Sequence, residues 1–230
     1  HAEKSMFYCY HHNYFATEFH INLFAENLLK YKGMFGLTPA ETLLEANDNI
    51  QLTGWPCEYM EETLAPYKNM EKKNTIVFPH RLAPEKQVEI FRDLAKEMPE
   101  YKFIVCQDSK LSKDQYHDLL ERSKMVFSAN VQETLGISCY EGALAGAIPM
   151  VPDRLSYSEM YSDGFKYPSE WTESWDSYLK YKDHLVREIR IWMNKYDAIV
   201  ETGKLTKLAN SLHENYFSCN GLRKVLFNGE

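Results

Sequence analysis

The stretch QETLGISCYEGALAGAIPMVP, residues 132–152, decides the fold. Residues 137–146, ISCYEGALAG, are a small-residue, apolar run closed by Gly146, a frequent helix stop. Residues 148–151, IPMV, are a short apolar strand that follows at once. Working outward, the same alternation repeats. NTIVF (74–78), KFIVC (102–106) and MVFS (125–128) read as strands. PEKQVEIFRDLAKEMP (84–99) places Val88, Phe91, Leu94, Ala95 and Met98 on one helical face, and KDQYHDLLERS (113–123) reads as the next helix. Four short apolar strands alternating with helices predict an α/β fold: a doubly wound, parallel, Rossmann-like sheet with helices on both faces. In such sheets ligands sit beyond the carboxyl ends of the strands. Those ends fall at His80 and Arg81, at Gln107 and Asp108, at 129–133 and at 152–154, where polar and charged residues gather.

The flanks are less regular. Residues 1–70 give a strand at MFYCY, a helix over about 16–31, a short helix over about 39–46 and a strand at NIQL before TGWP. That is too little for a second complete α/β domain. Residues 174–200 read as one long amphipathic helix with Tyr178, Tyr181, Leu185, Ile189, Trp192 and Met193 in its stripe, and 204–227 reads as helical again.

Composition narrows the function classes. Apolar residues make up 44 % of the 230, enough for a real core, with no 18-residue apolar run to span a membrane. The start carries no signal-peptide pattern, and His1 suggests a fragment of a longer protein. Five scattered cysteines without CxxC spacing argue for reduced thiols in the cytoplasm, against a disulfide framework or a zinc site. A net charge of −7 argues against a dedicated nucleic-acid binder, although a local basic face is compatible with it. Sixteen tyrosines suit sugar-binding or stacking surfaces as well as plain packing.

Two motifs carry chemistry. In TLGIS (134–138) a loop with a glycine opens a helix, so backbone N–H groups around Leu135, Gly136 and Ile137 are able to cradle a phosphate. An ordinary strand-to-helix turn accounts for the same residues. Glu133 precedes that turn and Glu141 lies about one turn inside the helix. Carboxylates accept hydrogen bonds from vicinal hydroxyls, so acids on either side of an anion site suit a diphosphate with a polyol at each end. A helix-start acid and a solvated acid are the plain alternative. In FPHRLAPEKQ (78–87), Arg81 and Lys86 offer a fork and a point charge suited to a diphosphate; as isolated residues they would be ordinary surface cations.

Taken together, FPHRLAPEK and QETLGISCYEGALAGAIPMV resemble the donor-binding domain of retaining glycosyltransferases of the GT-B fold, glycosyltransferase group 1 (family 4). The resemblance spans about 49–165 and rests on the Arg81…Lys86 pair and the Glu-x7-Glu spacing of Glu133 and Glu141; Gly142 stands where alanine is usual. It implies that Arg81 and Lys86 hold the diphosphate and stabilise the leaving group, that Glu133 touches the transferred sugar, and that Glu141 takes the ribose hydroxyls. The amides of Leu135, Gly136 and Ile137 would complete the cradle, with the base near Cys106 and Gln107. PDRLSYSEMY (152–161) matches the segment after the motif, with Glu159 where such enzymes often carry an acid. The donor implied is a UDP- or GDP-sugar, with no cofactor and no metal required, and no Asp-x-Asp motif is present.

By the same resemblance the chain divides into a remnant of an acceptor-side N-terminal domain (1–70), the donor domain (71–172) and C-terminal helices packing across the domains (173–230). FYCYHHNYF is similar to a segment of transferases that mannosylate queuosine in transfer RNA, with His12 in place of a glutamate and Tyr14 of a glutamine, which points His11, His12 and Asn13 toward the sugar or acceptor; aromatics packing a strand with polar neighbours account for the same residues. PDRLSYSEMY is also similar to phage-type enzymes, some of which decorate hydroxymethylated DNA bases. A nucleic acid, DNA or tRNA, is therefore one candidate acceptor. A GT-B sugar-nucleotide epimerase and a non-catalytic nucleotide-sugar binding module are the competing readings.

Overall fold

The computed structural model describes residues 13–15, 17–19, 22, 50–67 and 70–227. The chain divides into two compact units, His1–Glu58 with His213–Glu230, and Tyr59–Leu212. The first holds a parallel pair of short strands, β1 (Asn13–Phe15) and β2 (Ile50–Leu52), the latter within the expected NIQL. In that unit the Trp55 and Cys57 amides donate to the carbonyls of Tyr216 and Phe217, at 2.6 and 2.7 Å. The strand expected at MFYCY and the helix at 39–46 lie outside the described residues. The helix expected over 16–31 is described, as helix, only at Glu18, Phe19 and Asn22.

The second unit is the α/β domain. After α1 (Tyr59–Leu64) come β3 (Lys73–Phe78), α2 (Val88–Glu97), β4 (Lys102–Val105), α3 (Lys113–Arg122), β5 (Ser123–Phe127), α4 (Ile137–Leu144), β6 (Ile148–Pro152), α5 (Ser156–Met160) and β7 (Lys166–Tyr167). The sheet runs β4-β3-β5-β6-β7 and every pairing is parallel. The chain steps outward from β3 to β4 through α2, then returns over β3 to β5 through α3. With right-handed crossovers, that reversal puts α2 on one face of the sheet and α3 and α4 on the other. It also makes the carboxyl ends of β3 and β5 the topological switch point, the crevice where such sheets bind ligands.

Both faces of the sheet are covered, so its strands read as nearly unbroken apolar runs. Val77 and Val126 pack with Leu120, Cys106, Ala145 and Ala147 on the α3 side. Phe78 and Phe127 meet Phe91 of α2 on the other, with ring centroids 5.4 and 6.0 Å apart. Gly142 explains its own departure from alanine. A Cβ there would stand 2.5 and 2.7 Å from the two methyls of Val126, so only glycine lets α4 lie this close to β5.

The long helix expected over 174–200 is two helices, α6 (Trp175–Asn194) and α7 (Tyr196–Glu201), with the break at Lys195. Its stripe is buried at Tyr178, Leu185, Ile189, Trp192 and Met193, while Tyr181 is half-buried. Tyr196 is buried and its hydroxyl donates to the Gly146 carbonyl at 2.6 Å, a tertiary demand that overrides helical continuity. The 204–227 tail is likewise α8 (Lys204–Leu212), one wide turn at His213–Phe217 and α9 (Asn220–Phe227). The wide turn is closed by an i→i+5 bond from the Ser218 amide to the His213 carbonyl, 2.7 Å. Among the described residues no helix is long and apolar enough to cross a membrane.

Candidate functional site

Three loops meet at the switch point: the one after β3, the one after β5 and the one after β6. The β3 loop turns through a short 3-10 helix, Pro84–Lys86, and Gln87 then sits at φ 53°, ψ 46° before α2 begins. That kink turns Lys86 inward. Its ammonium, nearly buried, lies 3.0 Å from Glu133 Oε2 and donates to the Gln132 carbonyl at 2.8 Å. A left-handed residue other than glycine costs about 1–3 kcal/mol and persists only where its surroundings hold it. Here they do: Gln87 Nε2 donates to the carbonyls of Ala129 and Thr172 at 2.5 and 2.7 Å.

Glu133 is the hub of a buried polar cluster. Besides Lys86, its Oε2 accepts from Asn130 Nδ2 at 2.8 Å and from the Tyr157 hydroxyl at 3.5 Å; Oε1 accepts from the Thr134 amide at 3.0 Å. Burial alone would push this carboxyl up, but Lys86 and the donated hydrogen bonds outweigh it and hold Glu133 below the usual carboxylate range. His80 stands behind them, its Nδ1 3.2 Å from Ser138 Oγ and 3.5 Å from Asn130 Nδ2. Burial lowers its pKa, so the imidazole is neutral at pH 7.

The TLGIS turn separates the two acids. Gly136 takes φ +63°, and a Cβ there would meet Tyr157 Cε1 at 2.4 Å, so glycine is required by both backbone and neighbour. The Gly136 carbonyl accepts from the amides of Cys139 and Tyr140 as α4 starts. The first N–H groups of any helix have no partner within it, and here the helix starts at Ile137 with Gly136 as its N-cap.

Glu141, one turn on, shares no partner with Glu133. Its Oε2 accepts the Tyr116 hydroxyl at 2.9 Å, and it lines a cleft of about 350 Å³ with Pro79, Gln107, Lys110 and Ser138. Burial raises the Glu141 carboxyl above its ordinary value. Burial and the facing carboxylate raise the Tyr116 phenol much further, so it only donates. Glu141 and Gln107 thus line one recess.

Arg81 lies apart. Its side chain is 71 % exposed and ion-pairs with Glu85 one turn on, so the structure does not bring it to Lys86 and Glu133. Of the residues expected on the acceptor side, His11 and His12 lie outside the described residues, and Asn13 is described only as a β1 position. Among the described residues no group of His, Cys, Asp and Glu is arranged to hold a metal.

Sequence reasoning missed Asn130 and Tyr157 at Glu133, Tyr116 at Glu141, and Gln87 and Arg154, which donate to carbonyls of the 129–130 loop. Asn130 and Arg154 had a signal, since both fall at strand ends already marked as ligand-facing. The tyrosines had none, because their roles arise from tertiary contacts.

No protein family and no curated protein matches the chain. Solved structures do. TarM aligns over 83 % of this chain with a TM-score of 0.54 at 16 % identity. An S. aureus TarM mutant in complex with Fondaparinux, alpha-GlcNAc-glycerol and UDP aligns over the same share at 0.52 and 18 %. The pneumococcal O-GlcNAc transferase GtfA in complex with UDP and GlcNAc aligns over 90 % at 0.50 and 15 %. At such identities the likeness is one of fold: the chain has the α/β, parallel-sheet architecture of GT-B type. It spans about 42 % of the length of each of these chains.

Proposed function

We propose that this chain carries the donor-binding half of a retaining glycosyltransferase, and that its donor is a nucleoside diphosphate sugar, UDP first and GDP second. One observation carries the reading: Glu133 and Glu141 stand on either side of the 134–138 turn with separate surroundings, one beside the Lys86 ammonium and the other in the Gln107 cleft. The diphosphate lies over the turn on the amides of Leu135, Gly136 and Ile137. The ribose sits at Glu141, the base toward Gln107, and the transferred sugar at Glu133.

Lys86 is already in place, and Arg81 is brought in by release from Glu85. The arginine end of that pair is 71 % exposed, and ion pairs at the surface are worth only about 0–1 kcal/mol, so the exchange is easy. The bond from the anomeric carbon to the phosphate oxygen breaks, and its electron pair leaves with the diphosphate. The acceptor oxygen forms the new bond on the same face of the sugar, and its proton passes to the departing phosphate oxygen. The products are a glycoside and a nucleoside diphosphate. Arg81, Lys86 and the helix-start amides stabilise the charge where it develops.

The test incubates the chain with UDP- and GDP-sugars and a panel of acceptors: hydroxymethylated DNA, transfer RNA, peptide and glycan. Mass spectrometry then reads the products. Acceptor-dependent release of nucleoside diphosphate with a sugar-mass gain on one acceptor supports the reading. Interconversion of the sugar without acceptor makes the protein an epimerase, and binding of nucleotide without either product makes it a binding module.

A further inference from the structure

We propose that Arg154 and Gln87 are positioning residues that strap the 129–132 loop in place and so set Asn130 and Glu133 against Lys86. Arg154 follows β6, two strands away from Gln87, yet both reach the same two carbonyls. Its Nη2 donates to Ala129 O at 2.8 Å and Thr172 O at 3.1 Å, the pair that Gln87 Nε2 also bridges. Its Nε donates to Asn130 O at 2.7 Å, Nη1 to Ser169 O at 2.9 Å, and Nη2 again to Thr172 Oγ1 at 2.9 Å. Asn130, held by its backbone, turns its amide onto Glu133 Oε2.

Two features set this apart from ordinary loop packing. The hydrogen bonds of Arg154 end on neutral oxygens, and the Glu173 carboxylate supports its charge from outside that set. Its planar fork serves four residues at once, which an ammonium does not reproduce. Strain also collects here. Among the described residues three other than glycine have left-handed φ: Gln87, Lys110 and Leu155. Gln87 is itself half of the strap, and Leu155, at φ 58° and ψ −146°, adjoins Arg154 in a region that glycine alone normally occupies. Strain held at both anchors by surrounding bonds is the mark of a loop fixed for function.

Lys72 provides an internal control. It is a second half-buried cation on carbonyls, Ser123 O and Ala145 O at 3.1 and 2.5 Å, at the opposite end of the sheet. The consequence for turnover rests on the donor-site reading above, so the experiment has two arms. In the first, Arg154→Lys and Lys72→Met are compared for release of nucleoside diphosphate from a nucleotide sugar and for thermal stability. The strap predicts that Arg154→Lys lowers kcat about 10- to 100-fold, as expected for a misplaced catalytic group, with donor KM changed by less than about threefold. Lys72→Met loses stability but not kcat. Activity losses that simply follow stability in both variants, or full kcat in Arg154→Lys, overturn the proposal.

The second arm reads amide exchange at 130–134 against 102–105. Arg154→Lys speeds exchange only in the former if the strap is real, and unchanged protection there overturns it. If the unaltered chain neither binds nor cleaves a nucleotide sugar, the donor-site reading fails and the exchange arm alone decides the strap.

Discussion

Replacing Glu141 by Gln separates binding from stability, because the same burial that makes this carboxylate useful makes it costly. Its ordinary pKa is 4.5 and burial raises it in the fold. A raised carboxyl favours the protonated form, so the stability it lends is full below its unfolded pKa and is lost as pH rises through the folded value. A glutamine does not titrate, and its carbonyl still accepts the Tyr116 hydroxyl that now sits at 2.9 Å. Glu141→Gln is therefore expected to melt higher than the parent near pH 8, with the difference shrinking toward pH 4.

The opposite holds for ligand. Tyr116 takes one oxygen, and in the proposed donor site the other accepts from the ribose. Exchanging that acceptor for an amide NH2 removes at least one charge-assisted hydrogen bond, worth about 1.5–3 kcal/mol, or roughly a 10- to 150-fold rise in Kd for UDP or GDP. Thermal melts from pH 4 to pH 8, with titration calorimetry at pH 7.5, measure both. A variant that binds as tightly as the parent, or whose stability difference does not widen with pH, refutes the reasoning.

Other outcomes follow from the same geometry. Lys86→Met strands the Glu133 carboxylate in a nearly buried site and is expected to destabilise the fold by about 3–5 kcal/mol, while Lys86→Met with Glu133→Gln recovers part of that in a double-mutant melting cycle. Gly142→Ala gains helix propensity but drives a Cβ into Val126, so a net loss of about 1–2 kcal/mol is expected, largely relieved when Val126→Ala is added. Glu133 is held below the usual carboxylate range, so its contribution is present above its unfolded pKa and is lost as pH falls through the folded value. Acid titrations of the parent and Glu133→Gln should diverge at neutral pH and draw together as pH falls below the ordinary carboxylate range.

The sheet was legible because its central strands are buried on both faces and so appear as short apolar runs, as in IVF at 76–78 and MVF at 125–127. Alternation alone marked the carboxyl ends of the strands, and with them the loops bearing Lys86 and Glu133; the switch point itself needed the strand order. What stayed hidden depends on long-range contacts. Tyr196 broke a helix whose local pattern ran straight through, because its hydroxyl belongs to Gly146 fifty residues away. Gln87 reads as a helix residue in PEKQVEIF, and nothing local marks its left-handed turn or its bonds to Ala129 and Thr172. Arg81 shows the reverse: its motif names it for the diphosphate, while the structure pairs it with Glu85.

The central claim is a nucleoside diphosphate seated between Glu133 and Glu141, and melting the chain with UDP, GDP, ADP and inorganic pyrophosphate tests it most directly. At a hundred times Kd a specific ligand adds about 2.7 kcal/mol, which for a chain of this length raises Tm by about 5–11 °C. The account predicts that rise for UDP or GDP, its loss in Gly136→Ala and its reduction in Glu141→Gln. A flat response to all four ligands, or an equal response to pyrophosphate alone, contradicts it.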